Sequence, residues 1–238
     1  MTSADPVTYY DAFSHHYDRR RAHGYHALID ELEASFVGAV AGGICLEAGC
    51  GTGLILQRLR SQFRRCVGID LSHGMLQLAR NRDHSVARAT VTALPFRDQT
   101  FDRVCSFKVL AHVPDIHRAM GELVRVTKPG GLLALEFYNR RSLRGIRWRL
   151  KLVFGGEATG AARETDLYTR YDDLRSISSF LPADVRLEAV RGSIVVTPFA
   201  GLLRLPVVGR LLTMVERLAA RSWMASYGGF VTVILRRL

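Results

Sequence analysis

From Ile44 to Phe137 the chain alternates short apolar runs with stretches whose apolar positions recur at helical spacing. Ile44–Leu46 is an apolar run ended by Glu47, and a glycine-rich turn carries it into a helical stretch at Leu54–Arg60. Cys66–Ile69 ends at Asp70 and leads into a second helical stretch from Ser72 to Arg80. Val86–Val91 reads as a third strand and Arg103–Phe107 as a fourth. Asp115 opens a helix in which Ile116, Ala119, Met120, Leu123 and Val126 form one face. Pro129-Gly130-Gly131 breaks that helix, and Leu132–Phe137 is a fifth strand. Apolar strands separated by amphipathic helices predict an α/β fold, a mostly parallel sheet with helices on both faces. Ligands of such sheets bind beyond the carboxyl ends of the strands, so chemistry is sought in the residues that follow each strand.

The flanks follow another pattern. Residues 8–40 read as helices packed in front of the sheet, beginning with Tyr9-Tyr10-Asp11-Ala12-Phe13. Beyond residue 139 come a basic stretch, a short helix near Asp172–Phe180 and a strand near Val185–Val190. An apolar segment with Pro198 and Pro206, a helix over Val207–Arg221 and a last strand over Phe230–Leu235 complete the chain. No repeat or low-complexity linker divides it. One domain over 1–238 is expected, with lid helices at 1–40, a ligand-binding core at 41–139, a substrate-specific region at 140–230 and the final strand at 231–238.

Glu47-Ala48-Gly49-Cys50-Gly51-Thr52-Gly53 lies where a strand turns into a helix, and Asp70 ends the next strand. Glycines there permit positive φ and let a ligand approach the main chain. A terminal acid in this register accepts hydrogen bonds from ribose hydroxyls. The spacing is Gly-x-Gly-x-Gly, whereas a dinucleotide loop would place its third glycine at Leu54. Glu47 would repel a pyrophosphate and welcome a cationic amino group.

These residues, with Val67-Gly68-Ile69-Asp70-Leu71-Ser72, resemble the class I S-adenosylmethionine-dependent methyltransferases, in particular the subgroup that includes the ubiquinone/menaquinone C-methyltransferases. Ala93-Leu94-Pro95-Phe96, Thr100-Phe101-Asp102, Leu110-Ala111-His112-Val113-Pro114-Asp115 and Leu123 to Gly131 extend the likeness over about residues 9–138. The resemblance implies a Rossmann-like, seven-stranded sheet whose last strand is antiparallel. It implies S-adenosylmethionine as cofactor and S-adenosylhomocysteine as product. Glu47, Gly49, Gly51 and Gly53 would hold the methionine part and Asp70 the ribose. Leu71, Met75, Thr92, Ala93 and Leu94 would frame the adenine, although Met75 equally suits the core of its helix. The backbone at Lys108 and Val109 would approach the methionine end, and Tyr9, Tyr17 and Arg20 would close over it.

Methyl transfer from a sulfonium is an in-line displacement, so alignment supplies much of the rate and a base is needed only where the acceptor loses a proton. His112 follows the fourth strand and suits that task, though a histidine that only orients its loop explains the position as well. Tyr10, His15, His16 and His23 lie in the expected lid, and Glu136 and Tyr138 end the fifth strand. The catalytic candidates are His112, Tyr10 and His15. No Asn/Asp-Pro-Pro-aromatic motif follows the fourth strand, and no Asp-Asn pair follows a later one, so no catalytic metal is expected.

Composition narrows the partners. The formal net charge is +11, from 33 Lys+Arg and 22 Asp+Glu. Residues 140–151 carry six basic side chains and no acid, and residues 191–238 carry seven and one. The excess therefore belongs to the C-terminal half, which argues for a small-molecule acceptor over a nucleic acid. An RNA methyltransferase using the basic segments for phosphate contact stays open as an alternative, and a non-catalytic cofactor binder is the more distant one. Only three of the basic residues are Lys (Lys108, Lys128, Lys151), a bias that a genome rich in G and C would produce. Leu143, Ile146, Leu150, Val153 and Phe154 share a face of 140–154 beside Arg140, Arg144, Arg147 and Lys151. Peripheral membrane contact through 140–154 and a solvated pocket cap both fit that pattern. The apolar positions of 194–215 suit an acceptor pocket, a homodimer interface or plain core. Cys45, Cys50, Cys66 and Cys105 lack metal-ligand spacing, the N-terminus lacks a signal-peptide pattern, and uncharged runs fall short of about 18 residues. A reduced, cytoplasmic protein is expected.

Overall fold

Cys45 and Leu46, Val104 and Cys105, and Leu133 and Ala134 are consecutive buried pairs on three adjacent strands. Successive strand residues point to opposite faces, so each pair supplies one side chain to each side of a sheet. The computed structural model describes residues 5–18, 21, 24–142, 158–159, 162–163, 167–197 and 200–238. Its strands are β1 (Ile44–Ala48), β2 (Arg65–Asp70), β3 (Ser85–Arg88), β4 (Phe101–Ser106), β5 (Thr127–Tyr138), β8 (Val185–Ser193) and β9 (Phe230–Arg237). Two-residue strands β6 (Ala158–Thr159) and β7 (Ala162–Arg163) pair apart from them. The seven-stranded sheet has the order β3-β2-β1-β4-β5-β9-β8. Strands β1 to β5 pair in parallel, and β9 runs antiparallel to both β5 and β8. The fold is the expected Rossmann-like one with an antiparallel last strand.

Helices cover both faces. Helix α5 (Ile116–Val126), capped by Asp115, buries Ile116, Ala119, Met120, Leu123 and Val126 against Leu46, Val104 and Leu133. On the other face α2 (Tyr25–Val37) and α3 (Leu54–Leu59) pack Leu28, Leu32, Phe36, Ile55 and Leu59 against Cys45, Cys105 and Ala134. Helices α1 (Pro6–Tyr17) and α4 (His73–Asn81) meet each other beyond the strand ends. The remaining α-helices among the described residues are α6 (Leu174–Phe180) and α7 (Pro206–Ala219).

Two expectations are revised. Helix α5 ends at Val126, ahead of Pro129-Gly130-Gly131, and those residues fall inside β5 and neither break the helix nor delay the strand. The strand begins at Thr127 opposite Phe101 and accommodates the turn as a register shift before Arg103 meets Leu132. The apolar segment 194–215 is neither core nor pocket wall along α7. That helix turns Val207, Leu211, Met214 and Leu218 outward and buries Gly209, Glu216 and Ala219. Most of the basic 140–154 segment, and Pro198, lie outside the described residues.

Candidate functional site

Strand order reverses between β1 and β4, and the crevice above their carboxyl ends is where the topology places a ligand. A cavity of about 590 Å³ occupies it. One wall is the loop after β1. Gly49 N and Cys50 N donate to Ile69 O at 2.7 and 2.8 Å, which folds the loop back on β2. Gly49 has φ +85°, and a Cβ there would lie 2.0 Å from Val109 Cγ2, so only glycine fits. Gly51, at φ +51°, would meet nothing within 4 Å and leaves its backbone open to the cavity it lines.

Asp70 joins this loop to α4. Its Oδ2 accepts from Gly51 N at 2.8 Å and its Oδ1 from Ser72 N at 2.9 Å. Burial raises its carboxyl above the usual range, against the pull of those two N–H groups. Helix α1 lines the cavity beside α4. Asp11 Oδ1 accepts from Ser72 Oγ and from Gly74 N, at 3.0 Å for the latter. Asp18 accepts from Thr52 Oγ1 at 2.7 Å and pairs with Arg82, which also donates to Thr52 O at 2.8 Å. Tyr9, Phe13 and Tyr17 recur every four residues on the cavity side of α1, with adjacent ring centroids 5.7 Å apart.

Beneath the cavity lies a buried charge cluster. Lys108 adopts φ +60° just past β4, its N donates to Glu136 Oε1 at 3.1 Å, and its Nζ reaches Glu33 and Asp30. Arg21 pairs with Asp30 and lies 4.8 Å over the Tyr17 ring. Burial lifts the Glu47 and Glu136 carboxyls well above the usual range, and Glu33 adds repulsion to Glu136. Glu47 keeps one buried oxygen with no hydrogen-bond partner among the described residues, while Glu33 and Glu136 turn carboxyl oxygens toward each other. Among the described residues the cluster sets Asp30, Glu33, Glu47 and Glu136 against Arg21 and Lys108.

A methyltransferase-domain family model matches residues 46–135. The demethylmenaquinone methyltransferase of Thermobifida fusca is 33% identical over 178 residues, covering 69% of this chain and 75% of that protein. The chain belongs to the class I S-adenosylmethionine-dependent methyltransferases. A tRNA (carboxymethyluridine(34)-5-O)-methyltransferase of Arabidopsis thaliana is 33% identical over 132 residues, covering 54% of this chain and only 31% of that protein. Among solved structures, an S-adenosylmethionine-dependent methyltransferase of Thermotoga maritima superposes with a TM-score of 0.70 at 21% identity, over 97% and 98% of the two chains. S-Adenosylmethionine is accordingly the cofactor of this methyltransferase. The residues present suit it: the open side of Gly51 cradles a ligand against the main chain, and the unpartnered Glu47 oxygen suits an ammonium donor.

Of the residues expected at the site, Tyr9, Tyr10, Tyr17, Gly49, Gly51, Asp70, Leu71, Met75, Thr92, Lys108 and His112 line the cavity. Met75 is at once buried core and cavity wall. Glu47 is buried behind Gly49, and Gly53 caps α3. Ala93 and Leu94 stand apart, beside Glu122 and Arg125 in a shallow depression, because Leu94 N donates to Glu122 Oε2 at 2.7 Å. His16 is exposed, Arg20 and His23 lie outside the described residues, and so does the side chain of His15. Sequence reasoning missed Arg21, Tyr25, His26, Phe107 and Phe230. Tyr17-Asp18 followed by an arginine three residues on could have indicated Arg21. For Phe230 no local signal exists; pairing with Tyr138 brings it there.

His112 ends a short 3₁₀ turn, Leu110–His112. Its Nδ1 lies 2.9 Å from Tyr168 O, and its ring meets Tyr138 edge-on at 5.4 Å. A carbonyl partner keeps the proton on Nδ1 and the lone pair on Nε2.

Proposed function

We propose that this methyltransferase acts on a small, lipophilic, aromatic acceptor. The carrying observation is the lining of the cavity: Tyr9, Tyr10, Phe13, Tyr17, Tyr25, Phe107, Tyr138 and Phe230 all face it. Its volume lies within the roughly 300–1,000 Å³ of small-molecule sites. Such walls favour flat apolar molecules through burial and edge-to-face contacts. They offer few groups to a phosphate backbone.

In this reading Glu47, Gly49 and Gly51 hold the methionine part of the cofactor, with Gly53 shaping the loop. Asp70 takes the ribose hydroxyls, while Leu71, Met75 and Thr92 frame the adenine. S-Adenosylmethionine supplies, when bound, an electrophilic methyl group on its sulfonium. Tyr9 and Tyr17 cover the site, and the aromatic walls align the acceptor, which alone is worth a large part of the rate. His112 Nε2 takes the proton from an acceptor hydroxyl, and Tyr10 stands at the same cavity as a second polar contact. Asp70 and the charge cluster act on the cofactor and not on the acceptor.

The test uses methyl-tritiated S-adenosylmethionine with dihydroxyaromatic acceptors in one series and total RNA in another. Label should enter the organic phase. Label confined to acid-precipitated RNA would overturn the reading in favour of an RNA acceptor. His112→Gln should lower kcat by about 10²–10⁴ with S-adenosylhomocysteine affinity unchanged; an unaltered kcat would leave His112 as an orienting residue only.

A further inference from the structure

Helix α7 has its amphipathicity reversed. It buries Gly209, Glu216 and Ala219 against the domain, and Glu216 spends its carboxylate inside, accepting from Val196 N, Thr197 N and Thr197 Oγ1 at 2.9–3.1 Å. Its large apolar side chains point outward: Val207 is 80% exposed, Leu218 70%, Leu211 57% and Met214 54%. At 100° per residue these four and Val215 occupy one continuous arc, about a third of the helix circumference. Arg210 and Arg217 project along one edge of it, and Arg204 precedes the helix; all three are exposed. Arg217 pairs with Glu31, but Arg204 and Arg210 have no acidic partner among the described residues. Trp223, 80% exposed, stands four residues past the helix, edge-on to Tyr227.

We propose that α7 and the Trp223–Tyr227 turn form a docking face for an anionic phospholipid surface. A helix of 14 residues is about 21 Å long, too short to cross a bilayer but suited to lie in its interface. The charge complements that occupant: an apolar arc edged by arginines, with the helix's single acid turned inward, matches acyl chains beneath anionic headgroups. Exposed Trp and Tyr are the side chains that settle at headgroup depth. A second copy of the chain fits less well, since an antiparallel two-fold contact through this arc brings the arginine edges of both copies together and no two-fold contact supplies them an acid from this helix. The face also connects to the cavity through the chain. Asn139, next to the cavity residue Tyr138, donates from Nδ2 to Ser226 O and Gly228 O at 2.9 and 2.8 Å, and Phe230 lines the cavity two residues on. A lipid surface under α7 would therefore lie against the turn that leads into the acceptor site. The proposal does not depend on which acceptor is methylated.

The test is flotation of the full chain with vesicles of phosphatidylcholine alone and of phosphatidylcholine mixed with phosphatidylglycerol. Binding is expected to the anionic vesicles, weakening as salt is raised. Leu211→Ser/Leu218→Ser should reduce it by at least about tenfold, with S-adenosylhomocysteine affinity and the melting temperature unchanged, because both side chains are already exposed. Arg204→Glu/Arg210→Glu should erase the preference for anionic lipid. Failure of the wild-type protein to float with anionic vesicles at low salt overturns the proposal, as does undiminished binding by the double-serine variant. So does a wild-type dimer in light scattering that the double-serine variant converts to monomer, which would assign the face to a second copy.

Discussion

Gly49→Ala tests the geometry of the cofactor loop more sharply than any charge substitution. Two costs add at this position. The native φ of +85° lies in the left-handed region, which costs a residue with a Cβ about 1–3 kcal/mol. The new Cβ would also sit 2.0 Å from Val109 Cγ2, and forcing that overlap costs about 1–3 kcal/mol more. The sum, about 2–6 kcal/mol, is below or near the roughly 5–15 kcal/mol stability of a domain. It should appear as a melting temperature lowered by about 4–24 °C. The two costs separate in a double-mutant cycle. Val109→Ala removes the nearest methyl and should restore about 1–3 kcal/mol in the Gly49→Ala background, while Val109 Cβ, at 3.2 Å, and the backbone strain remain. Urea unfolding of the four proteins gives the coupling energy, and calorimetry with S-adenosylhomocysteine follows the loop. Affinity should fall in Gly49→Ala even where the protein is folded, and recover only partly in the double variant. A Gly49→Ala protein as stable as wild type, or a coupling energy of zero, would refute the reasoning.

Asp70→Asn removes the charge proposed to face the ribose, a loss of about 1.5–3 kcal/mol for a charged hydrogen bond; S-adenosylhomocysteine affinity should drop about ten- to 150-fold in calorimetry, and wild-type affinity would overturn that proposed role. Glu136→Gln tests the buried cluster. The folded carboxyl is held above its ordinary value by burial and by Glu33, so the native state keeps a proton that the unfolded chain releases, and this costs stability as pH rises through and above the ordinary carboxylate range. Urea midpoints from pH 5 to 8 should show the Gln variant gaining on wild type toward pH 8; a pH-independent gap would contradict the sign. Arg170→Lys keeps the charge but cannot span Val113 O and Leu110 O, now held at 3.0 and 3.1 Å. It should lose about 1–3 kcal/mol in the melt and lower kcat through His112, which lies between those carbonyls; full stability in that variant would show the clamp to be dispensable.

The residues that the sequence placed best are those bound to strand ends. Glu47 and Asp70 each close an apolar run, and a parallel sheet necessarily brings consecutive strand ends to one edge, so their proximity followed from pattern alone. Met75 and Thr92 came with the resemblance and His112 from its place after the fourth strand, and all three stand at the cavity. Ala93 and Leu94 came the same way and do not, because Glu122 and Arg125 on α5 hold their backbone outward. Arg21 was hidden in an arginine triplet, where composition does not tell which member turns inward to Asp30. Phe230 enters through the antiparallel return of β9, a relation between residues 92 positions apart that local periodicity does not contain. Helix α7 shows the sharper limit. Its apolar positions were read only as part of an apolar segment suited to a pocket, an interface or core, and such a segment says nothing of which way it faces. Glu216 settled that, since its carboxylate satisfies three consecutive backbone N–H groups at Val195, Val196 and Thr197 and so turns the apolar side to solvent.

The arginine bias also acquires a physical use beyond base composition. Arg125 donates at once to Glu122, to Asp98, to Phe96 O and to Leu94 O, tying α5 to the loop before β4. Arg170 holds Asp172 with two carbonyls of the His112 turn and stacks 5.0 Å over Phe180, and Arg237 donates to Arg125 O and Thr127 O at the other end of the sheet. A lysine ammonium carries no rigid fork with which to bridge carbonyls in this way. These arginines are consumed by the fold: each sits in a nest of acceptors, and none adds field at the surface in proportion to its charge. The formal +11 therefore overstates what a partner meets in the core of the domain and understates its concentration elsewhere. Arg204 and Arg210, before and on α7, lie next to exposed leucine, valine and methionine with no acid among the described residues to hold them, so the unspent charge and the unspent apolar surface fall together.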